Sequence, residues 1–388
     1  MRTSCAFWQA PHRPLFLLAA LSAFVVPLVW LAPHRVGPDA VAWHSHELAF
    51  GMGGAAVGGY LLTSLPSWTQ QGPVAPRLTM AVCALWVLSR LSFFWAGLLP
   101  YAVLMVGTQA YLVTLAGLLI WKIAVLRIWS RAWLVLAMGV LISSDLFFLF
   151  QAYRHAVPPD GAAVIVLSFA VLLSLVGGRA VPAFTRSWLE RQRVRMSVRD
   201  SSVLSVFATV SLAAGGLLMV VARDPVAGGV FILSGALHLL RTAGWKTWEV
   251  RRYPALLLLH LSWIWLPAGL FLVGLAMIRP EWIALSDAIH ALAMGAMGAT
   301  ILAIMARAIM VRRGDMLLLG KPLALAFALV WISAFVRVSA PFAPSLTPDP
   351  IRVSAILWMA GWLIFLFVYV PRLCGPIPRP ILSARVRR

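Results

Sequence analysis

The sequence is poor in charged residues, in acidic residues above all, and in cysteine. Only 11% of its 388 residues are charged and 62% are hydrophobic, with a mean hydropathy of +0.90, whereas an ordinary soluble domain has about 25% charged residues. A water-soluble globular protein is therefore excluded. Cys5, Cys83 and Cys374 have no paired spacing, so we predict neither a disulfide framework nor a cysteine-based metal site. A phosphate-binding loop and a dinucleotide fingerprint are also missing.

Long apolar stretches fill the sequence instead. About 20 helical residues cross a hydrocarbon core of ~30 Å, and twelve stretches of this kind are bounded by charge, Pro or Gly. We predict an all-α fold, a polytopic membrane helical bundle with about 12 transmembrane helices, as a single integral-membrane domain over residues 1–388. The first stretch continues towards His34 without a cleavage site, which favours a retained helix over a signal peptide. The predicted spans are 14–32, 42–64, 77–97, 99–121, 132–152, 161–185, 202–222, 226–243, 254–277, 284–306, 322–339 and 351–370.

The basic residues follow the predicted topology. Lys and Arg number 32 against 12 Asp and Glu, for a formal charge of +20. With both termini cytoplasmic, the inner segments hold 24 of the 32 and the outer segments hold 4, which is a strong positive-inside pattern. The basic excess is thus an orientation signal and not a nucleic-acid surface. The inner segments are 1–13, 65–77, 122–131, 186–200, 241–252, 307–321 and 371–388.

Histidine is the polar residue that most needs an explanation inside the spans. Five of the eight histidines lie there, and a polar side chain in hydrocarbon is costly. A single buried histidine is usually a hydrogen-bonded core residue, but five among so few polar groups favour ligation of a metal. Depth along the spans predicts an outer layer and an inner layer. The outer layer contains His44, His46 and His290, and the inner layer contains His238 and His260.

The two outer segments share a His-x-Leu-Ala-x-Gly pattern, His46–Gly51 and His290–Gly295, followed by further small residues. Two interpretations remain open: close helix packing, or a flat haem macrocycle against the small faces with its iron held by imidazole. His44 and His46 are ~200° apart on a regular helix, so we expect an irregular first turn or two separate sites, one for haem and one for copper or a supporting hydrogen bond. Glu47 lies at i+3 from His44.

Four further charged residues accompany the histidines. Arg90 and Asp145 lie at matching depths, which predicts an ion pair, with a proton path or an anchor for haem propionates as alternatives. Arg179, near an inner helix end, can extend to the membrane surface. Asp287, at i−3 from His290, is expected to orient that imidazole or to act as a favourable N-terminal charge.

At these residues the sequence resembles the NnrS family of bacterial membrane proteins, over nearly the whole chain. The Trp-His-x-His-Glu element is the most specific of the matching pieces. They are His12-Arg13-Pro14-Leu15-Phe16, Trp43-His44-Ser45-His46-Glu47, Leu62-Thr63-Ser64-Leu65-Pro66-Ser67-Trp68-Thr69, Gly178-Arg179-Ala180-Val181-Pro182-Ala183-Phe184-Thr185-Arg186, Leu259-His260-Leu261 with Trp265-Leu266-Pro267, and His290-Ala291-Leu292 through Met305-Ala306-Arg307.

The resemblance implies a multi-pass protein of the bacterial inner membrane that contains haem, expected to be of b type, and copper. It implies a role in nitric oxide metabolism or in protection against nitrosative stress, with all five intramembrane histidines on positions where the family has histidine. Two departures lower the expectation of copper more than that of haem. Leu149 and Arg312 stand where family members often have further histidines.

We therefore expect a haem-binding membrane protein that senses, binds or converts nitric oxide, and an oxidoreductase if it is an enzyme. Its expected partners are the lipid bilayer, nitric oxide, and a quinone or docked protein as electron donor. A secondary transporter is the alternative, because twelve spans are common in that class, although scarce carboxylates leave little for ion coupling. A haem- or copper-handling factor for another membrane complex is a third interpretation.

Overall fold

A computed structural model describes residues 7–30, 39–153, 159–194, 196–221, 225–314, 316–343 and 345–375. His34 and His155 lie outside these residues. Twelve helices are long and apolar enough to cross a membrane, so the prediction of an all-α polytopic bundle is confirmed.

The membrane helices follow one another with short connections, as expected for neighbouring spans. Proline at the first or second position begins several of them, where a missing N–H costs nothing. They are α1 (His12–Val25), α2 (Ala40–Thr69), α3 (Pro76–Phe94), α4 (Tyr101–Leu126), α5 (Trp133–Tyr153), α6 (Pro159–Arg191), α7 (Ser202–Val221), α8 (Pro225–Ala243), α9 (Pro254–Ile278), α10 (Leu285–Arg307), α11 (Lys321–Ser339) and α12 (Pro350–Tyr369).

Minor elements accompany these helices. Four 3-10 segments cover Val26–Trp30, Trp129–Arg131, Ala340–Phe342 and Val370–Arg372, and a short α-helix covers Thr247–Val250. The strands β1 (Val311–Arg313) and β2 (Met316–Leu318) form an antiparallel hairpin after α10. The hydroxyl of Tyr253 accepts a hydrogen bond from the Leu317 backbone N–H at 2.8 Å, which ties this hairpin to the start of α9.

The chain divides into two compact units. The first contains Met1–Ile165 and Trp362–Ser383, and the second contains Val166–Gly361 and Ala384–Arg388. Burial of the apolar stretch reaches 78% in α2 and 72% in α10, higher than in any other membrane helix. In each unit, the helix that carries a copy of the histidine pattern is therefore the most buried of the membrane helices.

The cysteines differ from expectation in one respect. Cys374 is disulfide-bonded, which the scattered spacing did not predict. Cys83 is a free thiol buried in α3.

Candidate functional site

Both copies of the histidine pattern begin a π-helix. In α2 the α-helix Ala40–His46 is followed by the π-helix Glu47–Gly53, and in α10 the α-helix Leu285–His290 is followed by the π-helix Ala291–Gly298. Such segments are rare and often occur at functional sites. The shared sequence pattern thus corresponds to a shared backbone distortion, with the histidine as the last α-helical residue in each copy.

In the first unit, His46 lies in a fully enclosed charged network. Its Nε2 is 2.9 Å from Asp145 Oδ1 and its Nδ1 is 3.2 Å from Glu47 Oε1. The imidazole stacks on Phe93 with 3.7 Å between ring centroids, and Phe148 stacks at 5.6 Å. Both ring nitrogens therefore face carboxylates, inside an aromatic enclosure that excludes water.

Arg90 and Gln109 complete this network. Arg90 donates from Nη1 to Glu47 Oε1 at 3.0 Å and approaches His46 Nδ1 at 3.4 Å, while Gln109 Nε2 donates to Asp145 Oδ2 at 2.8 Å. The predicted Arg90–Asp145 ion pair is therefore not direct. Arg90 pairs with Glu47, and His46 stands between that pair and Asp145, because rotation of the helices about their axes decides which groups at one depth meet.

The first glycine of the pattern creates the space for this carboxylate. A Cβ atom on Gly51 would lie 3.0 Å from Glu47 Oε2 and 3.6 Å from the Arg90 side chain. The Gly51 carbonyl in turn accepts a hydrogen bond from Trp86 Nε1 at 3.1 Å. Because a π-helix changes the backbone pairing, this indole gives one of its carbonyls a partner from α3.

The network joins acidic and basic side chains directly. Glu47 and Asp145 are its acids, Arg90 is its base, and the imidazole of His46 lies between the two carboxylates. Removing one partner from such a buried set is costly, because the remaining charges lose their compensation.

His44 has separate contacts. Its Nδ1 accepts a hydrogen bond from Trp30 Nε1 at 3.0 Å, with the two rings edge to face. This donor leaves the ring hydrogen of a neutral His44 on Nε2. His44 and His46 therefore contact different groups, as residues ~200° apart on a helix do.

In the second unit, His290 is half-buried and bonded to its own helix. Its Nδ1 lies 2.6 Å from the Ser286 carbonyl oxygen, so Nδ1 carries the hydrogen and Nε2 carries the lone pair of a neutral ring. Asp287 does not bond to this imidazole. It accepts a hydrogen bond from Arg337 at 2.7 Å, because the α11 guanidinium reaches the first turn of α10 and offers the carboxylate a stronger partner.

The small residues after each histidine receive aromatic side chains. A Cβ on Gly58 would collide with the Tyr111 hydroxyl, which donates to the Gly54 carbonyl at 3.0 Å. Likewise Gly295 lies against Trp265 and Gly298 against Trp358. These contacts are close packing of aromatic side chains against the small residues.

The inner histidines both lie in the second unit and both bond to hydroxyl groups. His238 has Nδ1 3.2 Å from the Ser234 carbonyl and Nε2 3.0 Å from Ser174 Oγ. His260 has Nε2 2.9 Å from Thr185 Oγ1 and Nδ1 3.0 Å from Thr247 Oγ1. These contacts are those of hydrogen-bonded core histidines.

A buried arginine that the sequence reasoning assigned only to the membrane edge lies between them. The guanidinium of Arg241 sits 5.5 Å from the ring of Trp245 and 5.6 Å from that of Trp263, and its Nε bonds to Asp200 at 3.3 Å. Trp263 also stacks on His238, and Trp245 meets His260 edge to face. The guanidinium of Arg241 and the indoles of Trp245 and Trp263 therefore form a continuous set of contacts between the two inner histidines.

The Gly-x-x-x-Pro part of the α6 motif explains how Arg241 is held. Pro182 has no N–H, so the carbonyl of Gly178, four residues earlier, lacks its helical donor. Arg241 Nη2 donates to that carbonyl at 2.9 Å. A Cβ on Gly178 would lie 2.8 Å from both terminal guanidinium nitrogens. Arg179, the neighbouring residue that the sequence predicts as a candidate, is instead exposed and donates to the Leu175 carbonyl.

The two positions that depart from the family pattern offer no ligand. Leu149 is fully buried in α5, and Arg312 is exposed in β1. Within the described residues, His, Cys, Asp and Glu side chains form no group of three or more arranged to hold a metal ion. In the network around His46, the carboxylates of Glu47 and Asp145 face different nitrogens of the imidazole ring. They therefore do not converge on one point where a metal ion could sit.

Twelve apolar helices with charged and hydrogen-bonded histidines inside them define a multi-pass membrane protein. A family model described as NnrS protein matches residues 6–376, so the chain belongs to the NnrS family. A comparison with curated proteins finds no match.

Proposed function

We propose that this chain binds haem through His290 and acts in nitric oxide metabolism or in protection against nitrosative stress, as a multi-pass protein of the bacterial inner membrane. The expectation that comes with the NnrS family supports the role. The observation that carries the assignment to His290 is its hydrogen bond from Nδ1 to the Ser286 carbonyl at 2.6 Å.

Metal-bound histidines almost always donate their other ring N–H to a carbonyl or carboxylate, which fixes the tautomer and the ring orientation. His290 has this arrangement, and it is half-buried at the end of an α-helical turn. A haem held there supplies an iron atom that binds nitric oxide. Nitric oxide is small and apolar enough to reach such a site through the bilayer.

His46 is less suitable than His290 as a ligand of the haem iron. Both of its ring nitrogens face carboxylates and its ring is fully buried, so ligation would require one carboxylate to withdraw and Phe93 to move. Copper stays a prediction, and we assign no residues to it because the described side chains form no three-ligand group. Reduction of nitric oxide would draw electrons from a quinone or a docked protein.

The test is the absorbance spectrum and haem content of the purified protein in detergent, after expression in haem-replete cells. We expect a Soret band that shifts on addition of nitric oxide to the dithionite-reduced protein. We expect His290→Gly to lose most of its haem and to regain a Soret band when imidazole is added, since free imidazole replaces the missing ligand.

His238→Gln and His260→Gln are the matched controls, because each removes a buried intramembrane imidazole with both nitrogens already bonded. Both should keep wild-type haem content. A colourless wild-type protein would refute haem binding, and equal haem loss in all three variants would refute the assignment to His290 while leaving haem binding intact.

A secondary transporter is the second candidate, and one observation favours it. π-Helices interrupt both α2 and α10, and transporters commonly place helix interruptions at their substrate sites. A colourless protein whose thermal unfolding midpoint rises with a polar solute would favour transport over haem binding.

A further inference from the structure

Two cations rest on tryptophan faces at one end of the first unit. The Nζ atom of Lys122 lies 4.4 Å from the ring centroid of Trp121, and the guanidinium carbon of Arg131 lies 5.6 Å from that of Trp68. Lys122 also donates to Gln71 Oε1 at 2.5 Å. Both cations therefore flank the same short segment, which runs from the last turn of α2 into its connection with α3.

The charge of this patch is not balanced by acidic residues. No Asp or Glu occurs between residues 48 and 144, and the flanking acids, Glu47 and Asp145, are both buried in the network around His46. Among the described residues neither Lys122 nor Arg131 has an ion pair with an acid, and the exposed Arg127 adds a third positive charge beside them. Within the described residues the patch therefore has a positive charge that no acidic side chain pairs with.

An apolar surface leads to the patch along α4. Its exposed side chains recur with helical spacing and include Val106, Val113 and Ile120, each more than half exposed. The indoles of Trp121 and Trp129 are 55% and 64% exposed at the end of this stripe. Exposed aliphatic side chains that end in tryptophans and cations are the arrangement expected where acyl chains give way to headgroups.

We propose that Lys122 and Arg131 bind the phosphate of an anionic phospholipid, whose acyl chains lie along the exposed face of α4. The planar guanidinium of Arg131 can donate two hydrogen bonds to a phosphate, and Lys122 contributes a compact charge held in place by Gln71. A phospholipid fits better than a free anion because the apolar stripe adjoins the cations and helices of this length and hydropathy lie in a bilayer.

The experiment is native mass spectrometry of the purified full chain, titrated with phosphatidylglycerol or phosphatidylcholine of identical acyl chains. We expect phosphatidylglycerol to bind about tenfold to thirtyfold more tightly, since each cation near the surface contributes about one factor of five. The double variant Lys122→Gln/Arg131→Gln should lose most of this preference, with Arg127 retaining a smaller part, and inorganic phosphate in excess should not displace phosphatidylglycerol.

Arg352→Gln is the charge-matched control, because this exposed arginine in the first turn of α12 belongs to the second unit and pairs with Asp349. It should keep the full preference. The charge-preserving variant Lys122→Arg should keep it as well, which separates loss of charge from loss of fold, as does the thermal unfolding midpoint of each variant. Unchanged preference in a folded double variant would overturn the proposal. Displacement by inorganic phosphate would overturn it in favour of a soluble-anion site.

Discussion

Replacing Gly178 with alanine tests whether the buried guanidinium of Arg241 helps to hold the second unit together. In an ordinary helix this change would stabilise the protein by about 1 kcal/mol, because alanine has the higher helix propensity. Here the new Cβ would lie 2.8 Å from both terminal nitrogens of Arg241. The guanidinium would have to withdraw from the Gly178 carbonyl that it now binds at 2.9 Å.

The size of the effect follows from the bond that is lost. A hydrogen bond from a charged group to a buried acceptor contributes about 1.5–3 kcal/mol, so after the gain in helix propensity the net loss is about 0.5–2 kcal/mol. Gly216→Ala in α7 is the matched control, since a Cβ there meets nothing within 4 Å, and it should be neutral or stabilising. Unfolding in mixed micelles titrated with sodium dodecyl sulfate measures both.

A double-mutant cycle identifies the cause. If the cost arises at the guanidinium, Gly178→Ala should cost little in an Arg241→Gln background, with a coupling energy of about 1 kcal/mol or more. Additive effects of Gly178→Ala and Arg241→Gln would refute the reasoning.

Two further predictions concern the first unit, and the same unfolding measurement checks both. Asp145→Asn should destabilise the protein by about 3 kcal/mol, since it removes one carboxylate from a buried set of paired charged groups. Asp349→Asn, in an exposed pair with Arg352, should change stability by less than about 0.5 kcal/mol, and equal effects would contradict a charged network. Trp86→Phe should lower the free energy of unfolding by about 1 kcal/mol, because it removes the donor to the Gly51 carbonyl. Trp282→Phe, at an exposed position, should have no measurable effect. If Trp86→Phe has no effect either, this hydrogen bond does not support the π-helix.

The number and type of the membrane helices could be predicted from the sequence because hydrophobic length and flanking charge are properties of each segment alone. Depth along a helix is also local, and it predicted that Arg90 and Asp145 lie at one level, where both approach His46. Their partners could not be predicted, since lateral contacts depend on how each helix is rotated. A shift of one residue turns a side chain by about 100°, which decides whether Arg90 meets Asp145 or Glu47.

Two features of the site were missed for different reasons. The π-helices change the backbone pairing without changing the hydrophobic pattern, so periodicity does not reveal them. Arg241 was counted as a cytoplasmic edge charge, although its position at i+3 from His238 places both on one helix face. The four-residue spacing of Gly178 and Pro182, which leaves a carbonyl without its helical donor, was a second signal that a partner from another helix was needed.

The two histidine patterns show how one backbone motif carries two kinds of chemistry. In both, the histidine ends an α-helical turn and the glycine five residues later admits a bulky neighbour. The residue after the histidine decides which neighbour that is. Glu47 brings a carboxylate against Gly51 and draws Arg90 to it, and His46 is thereby held by charge. Ala291 brings none, so Gly295 receives the indole of Trp265, and the Nδ1 atom of His290 bonds to the Ser286 carbonyl of its own helix. The pattern therefore accompanies the same helix geometry in both copies, and its second position decides whether a carboxylate stands beside the imidazole.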